Sequence, residues 1–129
     1  MNLLLDTHVL LWLAADSPRV GPETRAMLSA AATRHVSAAS AHEIALKTRR
    51  GTLPGGASVL DGWQRLLRNL RVTELLLTVD HMRRAGSMEW THRDPFDRML
   101  VAQAQLEGLT LVTDDSVVRD FEDVRTRWT

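Results

Sequence analysis

Short apolar runs alternate with longer segments of helical periodicity along this sequence. Leu3–Leu5 and Leu109–Thr113 are continuous β-type runs, and runs of this kind are typical of strands buried on both faces. His35–Ser37 and Val72–Leu77 are weaker strand candidates, and Val124–Arg127 would add an edge strand. Strands separated by helices favour an α/β fold with a mainly parallel sheet covered on both faces.

The segments between these strands carry apolar residues at helical spacing, and some have recognisable helix ends. Gly21–Glu23 places a proline and an acid in a first turn, while Gly51 and Gly108 are suited to end helices. The sequence predicts helices over Thr7–Ala15, Pro22–Thr33, Ser40–Arg50, Ser58–Asn69, Val79–Ala85, Pro95–Glu107 and Ser116–Phe121. Loops are expected at Pro54–Gly56 and Gly86–Arg93.

The composition limits the class of protein. A length of 129 residues without repeats or linkers predicts one domain over residues 1–129. The absence of cysteine excludes a disulfide framework and fits the cytoplasm. No apolar run is long enough to span a bilayer, and the start lacks a basic signal-peptide segment, so neither a membrane nor export is expected. The basic residues are fifteen arginines and one lysine, which fits either coding bias or a preference for phosphate partners.

Acidic residues occupy corresponding corners of the predicted sheet. Asp6 directly follows the first strand, and Glu43 lies in the first turn of the helix after the second strand. Asp97 lies in the first turn of the helix before the 109–113 strand, which Asp114 and Asp115 follow. The carboxyl ends of parallel strands meet at one edge. Clustered carboxylates repel one another unless cations neutralise them, so this arrangement predicts a Mg²⁺ or Mn²⁺ site.

Each acid also has a purely structural interpretation. Asp6 and the Asp114-Asp115 pair suit helix N-caps. Ser40 and Glu43 have the spacing of a capping box, and the segment Asp94–Asp97 has the cap, proline and acid of a helix start. A non-catalytic acidic module that binds Mg²⁺ or another protein is therefore one alternative.

Other metal chemistries fit the sequence less well. His42, His81 and His92 lack the close spacing of a zinc site on one helix face. A receiver domain needs an acidic pair after the first strand and a lysine after the last, but the only lysine is Lys47. An aspartate-nucleophile phosphatase needs a second aspartate where this chain has His8.

Four segments of the sequence contain the candidate acids. They are Leu4–Trp12, Ser37–Lys47, His92–Ala104 and Gly108–Asp115. Together, and in this order, they resemble PIN-domain proteins, and more narrowly the VapC-type toxins of bacterial toxin–antitoxin pairs. The resemblance implies an α/β/α sandwich whose catalytic metal ligands are Asp6, Glu43, Asp97 and Asp115, with Asp114 as a possible substitute for the last.

The resemblance also implies an activity and partners. It implies a Mg²⁺- or Mn²⁺-dependent endoribonuclease that acts as a toxin, binds a small protein antitoxin and forms a homodimer. A PIN-like RNA-processing nuclease that is not a toxin is the other alternative. Beside the acids, Thr7, Ser40 and Thr113 would orient ligands or waters, although helix capping and strand propensity explain them equally well.

Basic and aromatic residues near the acids have two interpretations each. Arg98 would bind phosphate or orient Asp97, and His92 would donate to a phosphate. The group Lys47, Arg49 and Arg50 would steer RNA or complement a helix end. His42 stands where similar toxins commonly have a large aromatic residue, which affects the expected local packing.

The apolar stripe on Val59–Leu70 suits the core. In similar toxins this region joins a groove that accepts the antitoxin's tail, which an exposed Trp63 would also suit.

Overall fold

Five parallel strands form one sheet with helices on both faces. The computed structural model describes residues 1–129. In chain order the elements are β1 (Asn2–Leu5), α1 (Thr7–Ala14), α2 (Pro22–Ala30), β2 (Thr33–Ser37), α3 (Ala38–Arg49), α4 (Gly56–Asp61), α5 (Trp63–Leu70), β3 (Thr73–Leu75), α6 (Val79–Ser87), α7 (Pro95–Glu107), β4 (Thr110–Val112), α8 (Ser116–Arg119) and β5 (Thr126–Arg127). The strand order is β3-β2-β1-β4-β5, and every pair is parallel. The predicted α/β/α sandwich is confirmed.

The central strand β1 supplies both halves of the core. Leu3, Leu4 and Leu5 are completely buried. Because successive strand residues point to opposite faces, Leu3 and Leu5 join one apolar cluster with residues of α1, α2 and α5, while Leu4 joins a second cluster with residues of α7. The apolar run at the start of the sequence is thus the centre of a three-layer structure. None of the helices combines the length and apolarity that crossing a membrane requires.

The strand register determines which residues meet at the carboxyl edge of the sheet. Leu5, the last residue of β1, pairs with Val36 of β2 and Val112 of β4. Asp6 then continues past the strand, and its amide donates to the carbonyl of Val112 at 3.0 Å. The ends of three neighbouring strands therefore bring Asp6, the start of α3 and the residues after Val112 to one edge.

The prediction of one helix over Ser58–Asn69 is wrong. The structure has two helices that meet at Gly62, which ends α4 and begins α5 with φ −98° and ψ 19°. Glycine in a helix interior costs about 1 kcal/mol relative to alanine, so this position is a favourable place for a break. Gly56, predicted as loop, instead starts α4, and a Cβ there would collide with the Thr48 hydroxyl.

Other predicted ends shift by one to three residues. Helix α2 ends at Ala30, not Thr33, because pairing of Asn2 with Thr33 draws the next residues into β2. Helix α3 begins at Ala38, two residues before the predicted start. The last helix, α8, ends at Arg119, not Phe121.

Candidate active site

Asp6 lies at the N-terminus of α1 without capping that helix. Its side chain forms no cap hydrogen bond and accepts one from the Thr113 hydroxyl at 2.7 Å. The residue is only 5% exposed. The structure therefore does not support the predicted cap role of the Asp6 carboxylate, which instead contacts Thr113, the residue that follows β4.

Glu43 lies in the second turn of α3, not in the first turn as predicted. The reason is that Ser37 begins the helix, its hydroxyl accepting from the Ala39 amide. The proposed capping box between Ser40 and Glu43 is absent, since the Ser40 hydroxyl is hydrogen-bonded to that of Thr7 at 2.8 Å. Glu43 is 6% exposed, and its Oε2 accepts from Lys47 Nζ at 2.9 Å.

Asp97 lies in the first turn of α7 as predicted. Asp94 caps this helix by accepting from the amides of Phe96 and Asp97, which leaves the Asp97 carboxylate free of the capping role. Instead, Asp97 Oδ2 lies 2.7 Å from His92 Nε2 in a hydrogen bond. His92, which the sequence places near the acids, is therefore in direct contact with Asp97.

Asp114 and Asp115 differ although they are adjacent. Asp115 caps α8, with its Oδ1 accepting from the Val117 amide at 2.9 Å. The Asp115 amide in turn donates to the Thr113 hydroxyl. Asp114 is half-buried and has no such role. The predicted structural interpretation thus holds for Asp115 but leaves its second oxygen available.

Electrostatic interactions connect the four acids. Burial raises the pKa of Asp6 above its ordinary value of 3.8, against the lowering effects of the Thr113 hydrogen bond and of His8, and the charge of Glu43 adds a smaller increase. Burial also raises the pKa of Asp97 to about 6, with further contributions from the charges of Asp94, Asp6 and Asp115. Of Asp114 and Asp115, it is Asp115 whose charge contributes to the raised pKa of Asp97. The carboxylates of both halves of the chain therefore share one negative region.

The carboxylates do not yet converge into a set of three metal ligands. Each is held by a protein group: Thr113 for Asp6, Lys47 for Glu43, His92 for Asp97 and the α8 amide for Asp115.

Comparison with known proteins identifies the family of the chain. The model of the PIN domain family matches residues 3–125. The chain belongs to the PIN domain family. PIN domains are nucleases, which act by hydrolysis. No curated protein is significantly similar to the chain in sequence.

Solved structures similar to this PIN domain come from toxin–antitoxin systems. They include VapBC2 from Rickettsia felis bound to a DNA fragment from their promoter (TM-score 0.68, 13% identity, 98% of each chain covered). A toxin–antitoxin complex from Klebsiella pneumoniae has the same TM-score at 18% identity, with 98% of this chain and 97% of that chain covered. DNA-bound VapBC from Salmonella typhimurium gives 0.67 at 16% identity, also covering 98% and 97%. At these identities the similarity establishes the fold.

Arg98 of the PIN domain makes no hydrogen bond to Asp97. Its guanidinium donates to backbone carbonyls of the segment before α7, at distances of 2.7 to 3.0 Å. Nothing in the sequence signals this, because backbone carbonyls are present at every position. The contact of Lys47 with Glu43 was also missed, although its i, i+4 spacing is the usual signal of such a pair.

The helix with the apolar stripe borders a cleft of the PIN domain. Trp63 is half-buried, between the core position and the exposed position that the sequence left open, and its Nε1 donates to Glu74 at 2.7 Å. The cleft beside α5 has a volume of about 350 Å³. Its walls combine apolar residues with three arginines: Leu5, Leu13, Leu28, Leu70, Val72, Arg25, Arg34 and Arg71.

Proposed function

We propose that this PIN protein is a divalent-metal-dependent endoribonuclease that hydrolyses RNA phosphodiester bonds as a VapC-like toxin. The observation that carries the proposal is the electrostatic cluster of acids at one sheet edge. Asp6 is the clearest member, since it is buried, its pKa is raised, and it does not cap its helix. A buried carboxylate of this kind is energetically unfavourable unless a cation neutralises its charge.

The donor set fits Mg²⁺ or Mn²⁺. Asp6, Glu43, Asp97 and Asp115 would hold the ion through carboxylate oxygens, which hard divalent cations prefer. Asp114, half-buried beside Asp115, would contribute if Asp115 remained a helix cap. Of the neighbouring hydroxyls, Thr113 bonds to Asp6, while Thr7 and Ser40 bond to each other behind the acids. These pairs would restrict the orientation of the ligands.

Residues around the acids would orient the carboxylates and attract the RNA. A bound Mg²⁺ or Mn²⁺ supplies charge neutralisation at the phosphate and a water of lowered pKa as the nucleophile. Thr113 orients Asp6, and His92 holds one oxygen of Asp97. Lys47, with Arg49 and Arg50 further along α3, would attract the RNA backbone. Attack by water predicts products with 5′-phosphate and 3′-hydroxyl ends.

The toxin role and the antitoxin partner are supported by the VapBC neighbours. The cleft beside α5 suits a partner segment that carries apolar and acidic residues, because Arg25, Arg34 and Arg71 line it together with leucines. We also propose that the chain is one cytoplasmic domain over residues 1–129 and that it forms a homodimer.

An RNA-cleavage assay tests the activity. Purified wild-type protein should cleave single-stranded RNA with Mn²⁺ or Mg²⁺, lose that activity in EDTA, and regain it when the cation is restored. Asp6→Asn should be inactive under all three conditions. Asp61→Asn is the matched control, since Asp61 is an exposed aspartate at the end of α4. Cleavage that persists in EDTA, or a fully active Asp6→Asn protein, would contradict the mechanism.

Expression in a bacterial host tests the toxin role separately. Wild-type protein should arrest growth, Asp6→Asn should not, and Asp61→Asn should arrest growth like the wild type. RNA cleavage in vitro without growth arrest would leave the nuclease proposal intact and contradict the toxin proposal.

A further inference from the structure

The Arg98 side chain binds the backbone of the segment between α6 and α7. Residues 88–94 have no regular secondary structure, yet the Arg98 guanidinium donates to three carbonyls within them. The acceptors are Met88 at 2.8 Å, Trp90 at 2.8 Å and His92 at 3.0 Å. A fourth bond, from Arg98 Nε to the Ala85 carbonyl, is 2.7 Å long.

These contacts suit the chemistry of arginine. The guanidinium is planar and has five N–H donors in a fixed arrangement, so it can serve several carbonyls at once. Ala85 lies in the last turn of α6, where carbonyls have no partner in their own helix and a positive charge is favourable. A lysine at position 98 would keep the charge but could not reach all four acceptors.

Aromatic contacts also hold this segment. The Trp90 ring stacks on Phe121, with centroids 4.4 Å apart and planes 9° apart. The other neighbour of Trp90 is the His92 ring, at 4.8 Å. His92 Nε2 then reaches Asp97 Oδ2 at 2.7 Å. The side chains of His92 and Asp97 are 24% and 18% exposed, so the pair is largely shielded from water.

We propose that Arg98 is a positioning residue, which fixes the 88–94 segment so that His92 holds one oxygen of Asp97 and leaves the other for a metal ion. This inference deepens the proposed function, because Asp97 is one of the proposed metal ligands. Loss of a group that holds a metal ligand in this way typically weakens metal binding by about 10- to 100-fold.

Hydrogen exchange tests the positioning without any metal. In Arg98→Lys, the hydrogen-bonded amides at the two ends of the segment, those of Met88, Phe96 and Asp97, should exchange at least about tenfold faster than in the wild type, as expected when a segment opens locally at lower free energy. Arg93→Lys is the matched control, because Arg93 is an exposed arginine of the same segment. Unchanged exchange in Arg98→Lys would overturn the proposal.

Calorimetric titration with Mn²⁺ tests the consequence for the metal site. Arg98→Lys and His92→Ala should each weaken binding by about 10- to 100-fold, and Arg93→Lys should not. His92→Gln should retain most of the affinity, since its amide nitrogen can donate to Asp97 in place of Nε2. The double variant Arg98→Lys/His92→Ala should bind little more weakly than His92→Ala alone, because both changes remove the same support.

The outcomes separate the two proposals. If the wild type binds no Mn²⁺, the proposed function fails, and the exchange measurement alone decides whether Arg98 fixes the segment. If the wild type binds and Arg98→Lys binds equally well, the positioning role fails. Additive losses in the double variant would also overturn it, since they would show that Arg98 does not act through His92. Trp90→Leu provides a second route to the same test if Arg98→Lys does not fold.

Discussion

The two halves of the acid cluster differ in what else their side chains do. Asp6 and Glu43 are almost completely buried, 5% and 6% exposed, and neither caps a helix. Asp97 and Asp115 lie at the starts of helices in the C-terminal half, and Asp115 is a helix cap. The buried acids of the first half thus have no role in helix capping, whereas in the second half Asp115 caps a helix and Asp97 lies in the first turn of one.

This difference shows which sequence signals are informative. Helix-start aspartates are common because they stabilise helices whether or not a metal is present. A carboxylate that is buried against a neighbouring acid costs free energy. We therefore expect neutral replacements in the first half to change activity with little change in stability, and replacements in the second half to change stability by amounts that depend on the new side chain.

The largest effect is expected for neutral replacements in the first half. Asp6→Asn and Glu43→Gln should each reduce RNA cleavage by more than about 100-fold, the upper end of what supporting groups contribute. At pH 8 in EDTA, Asp6→Asn should not lower the free energy of unfolding, because it removes a buried charge while keeping the side-chain volume. Glu43→Gln should lower it by at most about 1 kcal/mol, the contribution of the lost ion pair with Lys47. Cleavage rates and urea unfolding of the same preparations provide the measurement.

Parallel losses of activity and stability would contradict this separation. Asp61→Asn again serves as the control for replacing an exposed carboxylate.

The pH dependence of stability distinguishes Asp97 next. Its folded-state pKa is about 6, against an ordinary value of 3.8, so the unfolded chain loses its proton first as the pH rises. The wild type should therefore lose stability between about pH 4 and pH 6, and the loss should be constant above the folded pKa. Asp97→Asn cannot ionise and lacks this loss, on the order of 3 kcal/mol at pH 8.

Urea unfolding of both proteins in EDTA at pH 4 and pH 8 measures the difference. Titrating groups that do not interact with Asp97 are common to the two proteins and cancel, so the difference reports Asp97 together with the groups that act on it, His92, Asp94, Asp6 and Asp115. Equal stability of wild type and variant at pH 8 would show that the Asp97 carboxylate is not disfavoured by burial.

Much of the fold could be predicted from the sequence because local signals and tertiary structure agree. The continuous run Leu3–Leu5 is a strand buried on both faces, and Gly108 ends α7 with the positive φ of 67° that favours glycine. The break at Gly62 was missed since the apolar periodicity continues across it, and periodicity does not report a change of helix direction. The start of α3 depends on the end of β2, which tertiary pairing determines.

The site could be predicted only in part, for a related reason. Parallel topology brings strand ends to one edge, which is why Asp6 and Glu43 could be placed near Asp97 from the order of elements alone. Apart from the Lys47–Glu43 pair with its i, i+4 spacing, the contacts that hold these acids could not be foreseen. The bond between His92 and Asp97 depends on the path of an irregular segment, and the four bonds of Arg98 are made to backbone carbonyls.

A smaller effect is expected at the adjacent aspartates, where three variants separate cap from ligand. Asp115→Ala removes the cap of α8 and should cost about 1 kcal/mol of unfolding free energy. Asp115→Asn keeps a capping side chain, so it should be nearly as stable as the wild type and lose activity only through the missing charge. Asp114→Asn should change neither property if Asp115 is the ligand. Activity that is lost in Asp114→Asn and retained in Asp115→Asn would reverse the assignment.

The smallest effect is expected at Lys47, which partly offsets the buried charge of Glu43. The ion pair is 2.9 Å long, but the Lys47 side chain is 36% exposed, so solvent screening limits its contribution to at most about 1 kcal/mol. Lys47→Met should therefore destabilise the metal-free protein slightly. Mn²⁺ should raise the unfolding free energy of this variant more than that of the wild type, since the ion would provide the positive charge that the variant lacks. Lys47→Arg, which keeps the charge, should behave like the wild type. An equal Mn²⁺ effect in all three proteins would mean that Glu43 does not face the ion, and that the first half of the cluster contributes Asp6 alone.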